Sequence, residues 1–573
     1  MWKQLNYIFS RSDKVKVCIL LVAVILGSFM ELLGISLFSP FVEVITTPSI
    51  IEQEGYMKLL YNILGFDSET DFIIGLAVLI IIIYVVKNIY LAVQKNWMYK
   101  FSYNMQRRLS VKLLDSYMRE PYSFHLNKNI AVLQRSLQED TDLFTKGVIH
   151  VLELFAEMAV CMILVVYLFF VSKSITVIVV GLLVICVGLF TIVSKKYSRA
   201  IGEESQNNKG KIYQWMNQAL GGIKEIKILN REGYFVTEYE NYFRKYVRGL
   251  RLNRLIATLP KHIVEAVSMT GLLSAIIIKM LYGQKNIVDY IPQLAVFAMA
   301  AFKLMPAVGK INEHVSYILY SAPSVELLYH DLKSVDSFIP DNKGEEKEWK
   351  LEKEIVIKNV KFHYPGSEEY VIENADFSIK KGQAVAFVGA SGAGKTTMVD
   401  IILGLLQPQF GKVKADELNI HKNLRTWQKE IGYIPQVIYL SDDTIRNNIA
   451  FGVPKEEIKE EAVMEALKKA QLLEFVENLP EGLETFVGDR GVRLSGGQRQ
   501  RIGIARALYH NPEVLVLDEA TSALDSETEA AVMESIEELK GQKTMLIIAH
   551  RLSTIQNCDV IYEVGNGNVV CKK

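Results

Sequence analysis

Long apolar runs separated by charged segments occupy the first part of the chain, and short β-branched runs follow them. Crossing the hydrocarbon of a membrane as a helix takes about 20 mainly apolar residues. The apolar runs predict six membrane spans, at residues 17–45, 72–93, 147–171, 175–194, 259–282 and 291–311. Buried helices of a soluble protein are the alternative, but alternation of basic and non-basic connections is not expected between such helices.

Basic residues concentrate at the N-terminus and in the connections after the second and fourth spans. The connections after spans one, three and five contain few lysines and arginines, and the first of them is acidic. Lys and Arg are enriched in cytoplasmic loops, so this asymmetry predicts that both termini are cytoplasmic.

The two long basic connections, at residues 95–145 and 195–258, have helical spacing of polar and apolar positions. We expect helices that continue out of the membrane and return, with breaks near Pro121–Asn129 and at Gly221–Gly222 that can hold short helices. The apolar residues of 55–66 predict a further short interfacial helix on the outer side.

The pattern changes after residue 335. Residues 336–351 are highly charged and are typical of a linker, and residues 352–573 alternate short strand patterns with helical ones. The predicted fold is therefore a multi-domain membrane protein. An all-α six-span transmembrane domain of residues 1–335 with long cytoplasmic helical extensions precedes a mostly parallel α/β domain.

Composition narrows the class of protein. The chain has 573 residues, 50% of them hydrophobic, with 64 Lys and Arg balanced by 64 Asp and Glu. This composition excludes a disordered chain, and the neutral balance gives no support to a nucleic-acid partner. Five cysteines are too few and too scattered for a disulfide framework or a zinc site.

A phosphate-binding motif opens the chemistry of the α/β domain. Residues 389–396 read GASGAGKT, which matches the P-loop pattern GxxxxGK[ST]. The motif stands between an apolar strand pattern and an apolar helix pattern. Backbone N–H groups and the helix N-terminus would bind phosphate oxygens, Lys395 would reach the β- and γ-phosphates, and Thr396 would ligate Mg²⁺. The predicted nucleotide-binding residues of this loop are Gly389, Ser391, Gly392, Gly394, Lys395, Thr396 and Thr397.

Two carboxylates follow a second apolar strand pattern, VLVL at 514–517. Asp518 is placed to hold Mg²⁺, and Glu519 to polarise a water for attack on the γ-phosphorus. An acidic pair after a strand can also be a helix cap, but its pairing with a P-loop favours catalysis.

Between these motifs lies LSGGQ at 494–498, and this sequence resembles the signature of the ATP-binding cassette superfamily. The resemblance implies that Tyr364 stacks on adenine, that Gln436 helps to bind the metal and to catalyse hydrolysis, and that His550 acts as the switch histidine. It also implies that the signature closes on ATP held by a second cassette, which predicts a homodimer with ATP and Mg²⁺ as cofactors. The residues expected at that shared site are Ser495, Gly496, Gly497, Gln498 and Asp525. Taken singly, Tyr364, Gln436 and His550 could be an ordinary strand aromatic, a loop residue and a satisfied histidine.

An arrangement of six spans ahead of one cassette resembles the type of exporter to which lipid flippases and multidrug pumps belong. Ionisable residues inside spans are costly and functional by default. Lys87, Lys261, Lys303 and Lys310 would line a cavity suited to phosphate or pyrophosphate, unless Lys261 pairs with Glu265 or Lys310 extends to the cytoplasmic face.

Pro260-Lys261, Lys303 and Lys87 are similar in arrangement to the lipid-linked oligosaccharide flippases of bacterial N-glycosylation. This resemblance implies ATP-driven flipping of an anionic lipid-linked oligosaccharide across the inner membrane. A multidrug or lipid A-type exporter is the nearest alternative, and a non-transporting, membrane-anchored ATP-binding regulator is the alternative from another class.

Overall fold

The computed structural model describes residues 2–37, 41–42, 44–45, 61, 68–171, 173–282, 291–338, 349–488, 491–518, 530, 533–534, 536–548 and 555–573. The chain folds into two compact units. The first comprises Met1–Glu120 with Lys128–Phe338, and the second comprises Ile339–Lys573 with the segment Pro121–Asn127.

The described part of the first unit is helical. Its helices are α1 Trp2–Ile8, α2 Arg11–Ser36, α3 Glu69–Arg119, α5 Ile130–Arg135, α6 Thr141–Val171, α7 Lys173–Gly221, α8 Ile223–Leu229, α9 Glu232–Tyr282 and α10 Ile291–Phe338. The long ones are α2, α3, α6, α7, α9 and α10. A fourth helix, α4 Tyr122–Asn127, belongs to the second unit.

By length and composition, three stretches in the described part of the chain can cross a membrane: Arg11–Gly34, Thr70–Arg119 and Ile130–Phe170. They coincide with the first three predicted spans, and the other three predicted spans fall within α7, α9 and α10. The pattern predicts a first span to residue 45, whereas α2 ends at Ser36. Pro40 follows shortly after, and helices commonly end before the residue that precedes a proline.

The predicted helical extensions are confirmed, because α3, α7 and α9 are 51, 49 and 51 residues long. Short helices also stand at both predicted breaks, α4 after Pro121 and α8 after Gly222. Asn230 ends α8 in the left-handed conformation, at φ 51°. The predicted outer helix at 55–66 lies outside the described residues, apart from Tyr61.

A π-helical turn at Ser136–Asp140 joins α5 to α6, and the sequence pattern did not predict it. Asp140 is buried at the end of this turn. Its carboxylate accepts hydrogen bonds from Arg135 Nε at 3.2 Å, Gln206 Nε2 at 3.0 Å and Ser324 Oγ at 2.8 Å. The turn is thereby tied to α7 and α10.

The described residues of the second unit include a ten-stranded sheet. Its strands are β1 Glu354–Phe362, β2 Ile372–Lys380, β3 Ala384–Val388, β4 Phe410–Ala415, β5 Leu418–Asn419, β6 Ile431–Ile434, β7 Val514–Asp518, β8 Thr544–Ile548, β9 Val560–Gly565 and β10 Asn568–Cys571. Their order in the sheet is β5-β4-β1-β2-β10-β9-β3-β8-β7-β6. The neighbouring strands β9, β3, β8, β7 and β6 are parallel, so their carboxyl ends share one edge. The described helices of this domain are α11 Lys395–Ile402, α12 Leu424–Lys429, α13 Ile445–Ile449, α14 Glu460–Lys469, α15 Leu473–Glu477 and α16 Gly496–Leu508.

The central strands are buried on both faces, as expected for parallel strands covered by helices. Along β7, Val514 and Val516 enter one apolar core while Leu515 and Leu517 enter the other. Trp427 of α12 is fully buried in the first of these cores, and its indole Nε1 donates to Ile402 O at 2.8 Å. This bond fixes the C-terminal end of α11, the helix that begins at the P-loop.

The boundary between the units differs slightly from the predicted one. Helix α10 continues to Phe338, the second unit begins at Ile339, and β1 begins at Glu354.

Candidate nucleotide site and membrane cavity

The P-loop joins β3 to α11 through backbone conformations that only glycine adopts easily. Gly389, Gly392 and Gly394 have φ of 148°, 79° and 100°. A Cβ at Gly389 would lie 2.2 Å from Val564 O, so the loop passes too close to β9 for any side chain. The sequence pattern of this loop therefore corresponds to a built turn that presents backbone N–H groups at a helix N-terminus.

Lys395 is buried at the start of α11, and its ammonium lies inside the loop. Nζ donates to Gly389 O at 3.0 Å and to Ala390 O at 2.9 Å. Thr396, the next residue, is exposed. A cation held by the loop and an exposed hydroxyl beside it fit the β- and γ-phosphates of a nucleotide and its metal.

Tyr364 is brought to the same place by the chain that follows β1. Its hydroxyl lies 3.0 Å from Thr397 Oγ1, in the first turn of α11, and its ring packs edge-on against Phe362. The structure thus brings together the predicted adenine-binding ring and the P-loop. The stacking role itself stays a prediction.

The parallel strands β6 and β7 bring Gln436 and Asp518 to the same carboxyl edge. Strand β7 ends at Asp518, and β6 ends at Ile434, shortly before the exposed Gln436. Tyr433 Oη donates to Asp518 Oδ2 at 3.4 Å. Asp525, Glu519 and His550 lie outside the described residues, although Glu519 directly follows the end of β7 in sequence.

Two residues of this edge were missed by sequence reasoning, Asp400 and Tyr433. Burial, together with the negative charge of Asp518, raises the pKa of Asp400 to about 6. Burial and the charges of the same two carboxylates raise the pKa of Tyr433. Two neighbouring carboxylates favour a divalent cation between or beside them. The available signal was Asp400 itself, a lone charge in the apolar helix TMVDIILG.

The signature forms the exposed start of α16. Ser495 Oγ accepts from Gln498 N at 3.2 Å, and Gln498 Oε1 accepts from Ser495 N at 2.8 Å, which is a reciprocal capping box. A Cβ placed on Gly496 would meet no atom within 4 Å. Open space therefore lies in front of this helix N-terminus, where an anion can approach.

The first unit contains a cavity of about 720 Å³ between α2, α3, α6 and α10. Among the described residues, its charged lining consists of Lys95 and Lys310 with Glu31, Glu153, Glu157 and Glu313. Carboxylates thus outnumber ammonium groups in the described lining, which differs from the predicted cluster of lysines.

The four predicted substrate lysines have different surroundings. Lys87 is buried, with Nζ 3.7 Å from Glu31 Oε2 and above the ring of Tyr84. Lys310 Nζ lies 2.6 Å from Glu157 Oε1 at the cavity. Lys261 is exposed on α9, with its stem close to Gly309 of α10, and the side chain of Lys303 lies outside the described residues.

Fold and site define the class: an apolar helical membrane region followed by a P-loop nucleotide-binding domain. Residues 17–299 match the family described as "ABC transporter transmembrane region", and residues 372–522 match the family "ABC transporter". The chain belongs to the ABC transporters, with one membrane region and one nucleotide-binding domain in the order of the exporter type.

Relatives described as "ATP-dependent lipid A-core flippase" support this family. The one from Methylobacillus flagellatus is 34% identical over 65% of this chain and 62% of its own length. The one from Pseudoalteromonas translucida is 29% identical over 81% of this chain and 79% of its own length. The one from Francisella tularensis subsp. tularensis is 32% identical over 67% of this chain and 63% of its own length. The chain thus matches less than two thirds of the first and third of these relatives.

A solved structure described as "a bacterial Atm1-family ABC exporter with ATP bound" superposes with a TM-score of 0.75. The superposition covers 97% of this chain and 94% of that one, at 21% sequence identity. This likeness shows the fold, and the predicted exporter-type architecture is confirmed.

Proposed function

We propose that this chain is an ATP-driven exporter that flips an anionic glycolipid of the lipid A type across the inner membrane. ATP use is supported by the P-loop, in which the ammonium of the buried Lys395 contacts two loop carbonyls. A nucleotide phosphate would take the place of those carbonyls as the partner of Lys395.

In the hydrolytic step, Lys395 and the backbone N–H groups of the loop hold the phosphates of ATP. Thr396, Gln436 and Asp518 would hold Mg²⁺, whose charge offsets that of the phosphates. Glu519 takes the proton of the attacking water, and His550 contacts the γ-phosphate. Tyr364 packs on the adenine ring.

Two copies of the chain would form two such sites. The exposed capping box of Ser495 and Gln498 and the open space before Gly496 suit an ATP molecule held by a second cassette. Gly497 and Asp525 would contribute to the same closure. Hydrolysis separates the cassettes and resets the membrane domain, and the cassettes and both chain termini are expected on the cytoplasmic side.

Substrate choice rests on the relatives, which are described as lipid A-core flippases. In the described lining of the cavity, Lys95 and Lys310 are the cations that an anionic headgroup would meet. The predicted lipid-linked oligosaccharide remains the second candidate, because Pro260-Lys261, Lys87 and Lys303 favour it in sequence. Both lipids have phosphate on a glycan and a hydrophobic tail, so the same cavity chemistry would serve either.

The test is reconstitution of the full chain into vesicles with one of three lipids in each preparation. The two candidate substrates are lipid A-core and a polyprenyl-pyrophosphate glycan, and a neutral glycolipid is the control. We expect ATP-dependent loss of lipid A-core from the accessible leaflet, and none with the variant Lys395→Ala, which lacks the cation for the phosphates.

Flipping of the polyprenyl-pyrophosphate glycan alone would move the assignment to the second candidate. Equal movement of the neutral glycolipid would contradict an anionic substrate altogether.

A further inference from the structure

Two histidines and a glutamate meet where α6 packs against α10. His150 Nδ1 lies 2.8 Å from His314 Nδ1, and each of these nitrogens lies 3.7 Å from Glu153 Oε2. One ligand atom from each residue lies within 4.8 Å of the other two. The nucleotide site and the proposed flipping reaction leave this cluster without a role.

Helix geometry brings the three groups together. His150 and Glu153 are three residues apart and lie on one face of α6, while His314 is supplied by α10 across the contact. The ring of His150 packs against that of Tyr317, with 4.1 Å between the centroids and 34° between the ring planes. Packing therefore restrains the rotation of this imidazole.

The carboxylate is also oriented. Tyr99 Oη of α3 donates to Glu153 Oε1 at 3.4 Å, which leaves Oε2 directed at the two imidazoles. Such hydrogen bonds to the outer atom of a ligand are a regular feature of metal sites, because they fix the orientation of the ligand.

The distances suit a small cation. With metal–nitrogen bonds of about 2.0–2.1 Å, neighbouring ligand atoms of a tetrahedral site lie about 3.3 Å apart. The Nδ1 atoms would separate by about half an ångström from their hydrogen-bonded distance, and the oxygen would approach by a few tenths. Each neutral ring has one proton, which would reside on Nε2 so that Nδ1 is free to coordinate.

We propose that His150, Glu153 and His314 form a binding site for a divalent first-row transition metal ion, with Zn²⁺ as the preferred occupant. Two imidazoles with one carboxylate are a ligand set that Zn²⁺ accepts, and such three-residue sites keep a fourth position open. All three residues line the cavity of about 720 Å³, so the open position faces that space.

Bound metal has a mechanical consequence. Its ligands come from two different helices, so the ion fixes α6 to α10 beside the cavity. The ion's charge is offset locally by Glu153, and Glu157 and Glu31 line the same cavity along with Lys95 and Lys310. The inference goes beyond the proposed flipping activity and does not depend on the lipid.

The alternative is a histidine pair that only stabilises the contact between the helices through its hydrogen bond. A structural pair binds no metal, so a binding measurement distinguishes the two roles without any transport assay. The full chain is purified in detergent without a polyhistidine tag, stripped with a chelator and dialysed against micromolar Zn²⁺. Metal content per chain is then measured by mass spectrometry.

We expect one Zn²⁺ per chain in the wild type and its loss in His150→Ala and in His314→Ala. His330→Ala is the matched control, because this exposed histidine lies on the same helix as His314 and outside the cluster. Tyr99→Phe should weaken binding by about 10-fold, the cost of removing an outer-shell partner. Co²⁺ in place of Zn²⁺ should give visible absorption bands that disappear in the same variants.

Helical circular dichroism and a single gel-filtration peak in detergent verify that each variant is folded. If the alanine variants do not fold, Glu153→Gln, which keeps the size and shape of the side chain, decides the matter by the same measurement. Absence of Zn²⁺ from the wild type, or equal Zn²⁺ in the wild type and the folded cluster variants, would overturn the proposal.

Discussion

Glycines of the nucleotide-binding domain are of two kinds, according to whether the fold of one chain requires them. Gly389 is required, because its φ is 148° and a Cβ would lie 2.2 Å from Val564 O. Gly496 is not, because a Cβ there would meet no atom within 4 Å. If glycine is required at position 496, the reason is therefore contact with another molecule that approaches the start of α16.

This difference gives a prediction for Gly496→Ala. The variant should fold with unchanged or slightly greater stability, since Gly→Ala at a compatible position adds about 0.4–1 kcal/mol. Its ATP hydrolysis should fall strongly if a second cassette's ATP docks there. Thermal unfolding and ATP turnover of the same preparation measure both, with Gly389→Ala expected to lose both. Normal turnover in Gly496→Ala would contradict the shared site.

The pKa of Asp400 is raised to about 6 by burial and by the charge of Asp518. The folded state then binds the proton more tightly than the unfolded state does, so stability falls as pH rises from the ordinary carboxyl pKa of 3.8 to about 6 and stays level above that. Asp400→Asn removes that cost, which we expect to be on the order of 1 kcal/mol after allowance for solvent screening. Unfolding without Mg²⁺ should show the variant more stable at pH 8 and equal to wild type near pH 4. A gain independent of pH would assign the effect to something other than ionisation.

The π-helical turn Ser136–Asp140 connects three helices through one carboxylate. Asp140 accepts from Arg135 beside it, from Gln206 on α7 and from Ser324 on α10. Arg135 and Asp140 are both buried, with side chains exposed by 8% and 1%. Removal of one partner from a buried ion pair leaves the other charge uncompensated.

Asp140→Ala should therefore lower the free energy of unfolding of the first unit by about 3–5 kcal/mol. The exposed pair of Glu240 and Arg244 provides the control, because Glu240→Ala should cost at most about 0.5 kcal/mol. Denaturation in detergent, followed by loss of helical circular dichroism, compares the two variants. Similar losses in both would show that the turn does not depend on this carboxylate.

Prediction from the sequence succeeded where the signal is local. The P-loop, the long helices and the short helices at Pro121 and Gly222 follow from motif spacing, periodicity and helix breakers. The π-helical turn, the pair of Asp400 and Asp518 and the cluster at His150 could not be predicted. Each depends on residues far apart in sequence, such as His150 and His314, which are 164 positions apart. Single side chains of this kind leave no periodic trace along the chain.

For the whole molecule, the cassette chemistry predicts the behaviour of Glu519→Gln. The amide cannot accept a proton from the attacking water, so ATP should still bind while hydrolysis nearly stops. Two copies should then remain associated through trapped ATP. Retained nucleotide after gel filtration and the mass of the particle in solution measure this result. Turnover near that of the wild type would remove Glu519 from the catalytic role.

The predicted substrate lysines should affect transport without touching ATP. Two of them have carboxylate neighbours, Lys87 with Glu31 and Lys310 with Glu157. These neighbours reduce the positive charge that an anionic headgroup would meet. A phosphate must therefore compete with Glu31 and Glu157 for the ammonium groups, and a single lysine contributes little alone.

The combined variant Lys87→Gln, Lys261→Gln, Lys303→Gln and Lys310→Gln should accordingly lose lipid flipping while it keeps basal ATP hydrolysis. Replacement of the same lysines by arginine should be better tolerated, since arginine keeps the charge and adds a bidentate donor. The control neutralises four exposed lysines of the nucleotide-binding domain, Lys412, Lys455, Lys459 and Lys468. Flipping and ATPase rates are compared at matched folded yield. Equal flipping by the quadruple glutamine variant and the wild type would exclude these lysines from substrate binding and favour an exporter whose cavity selects lipids by their apolar parts.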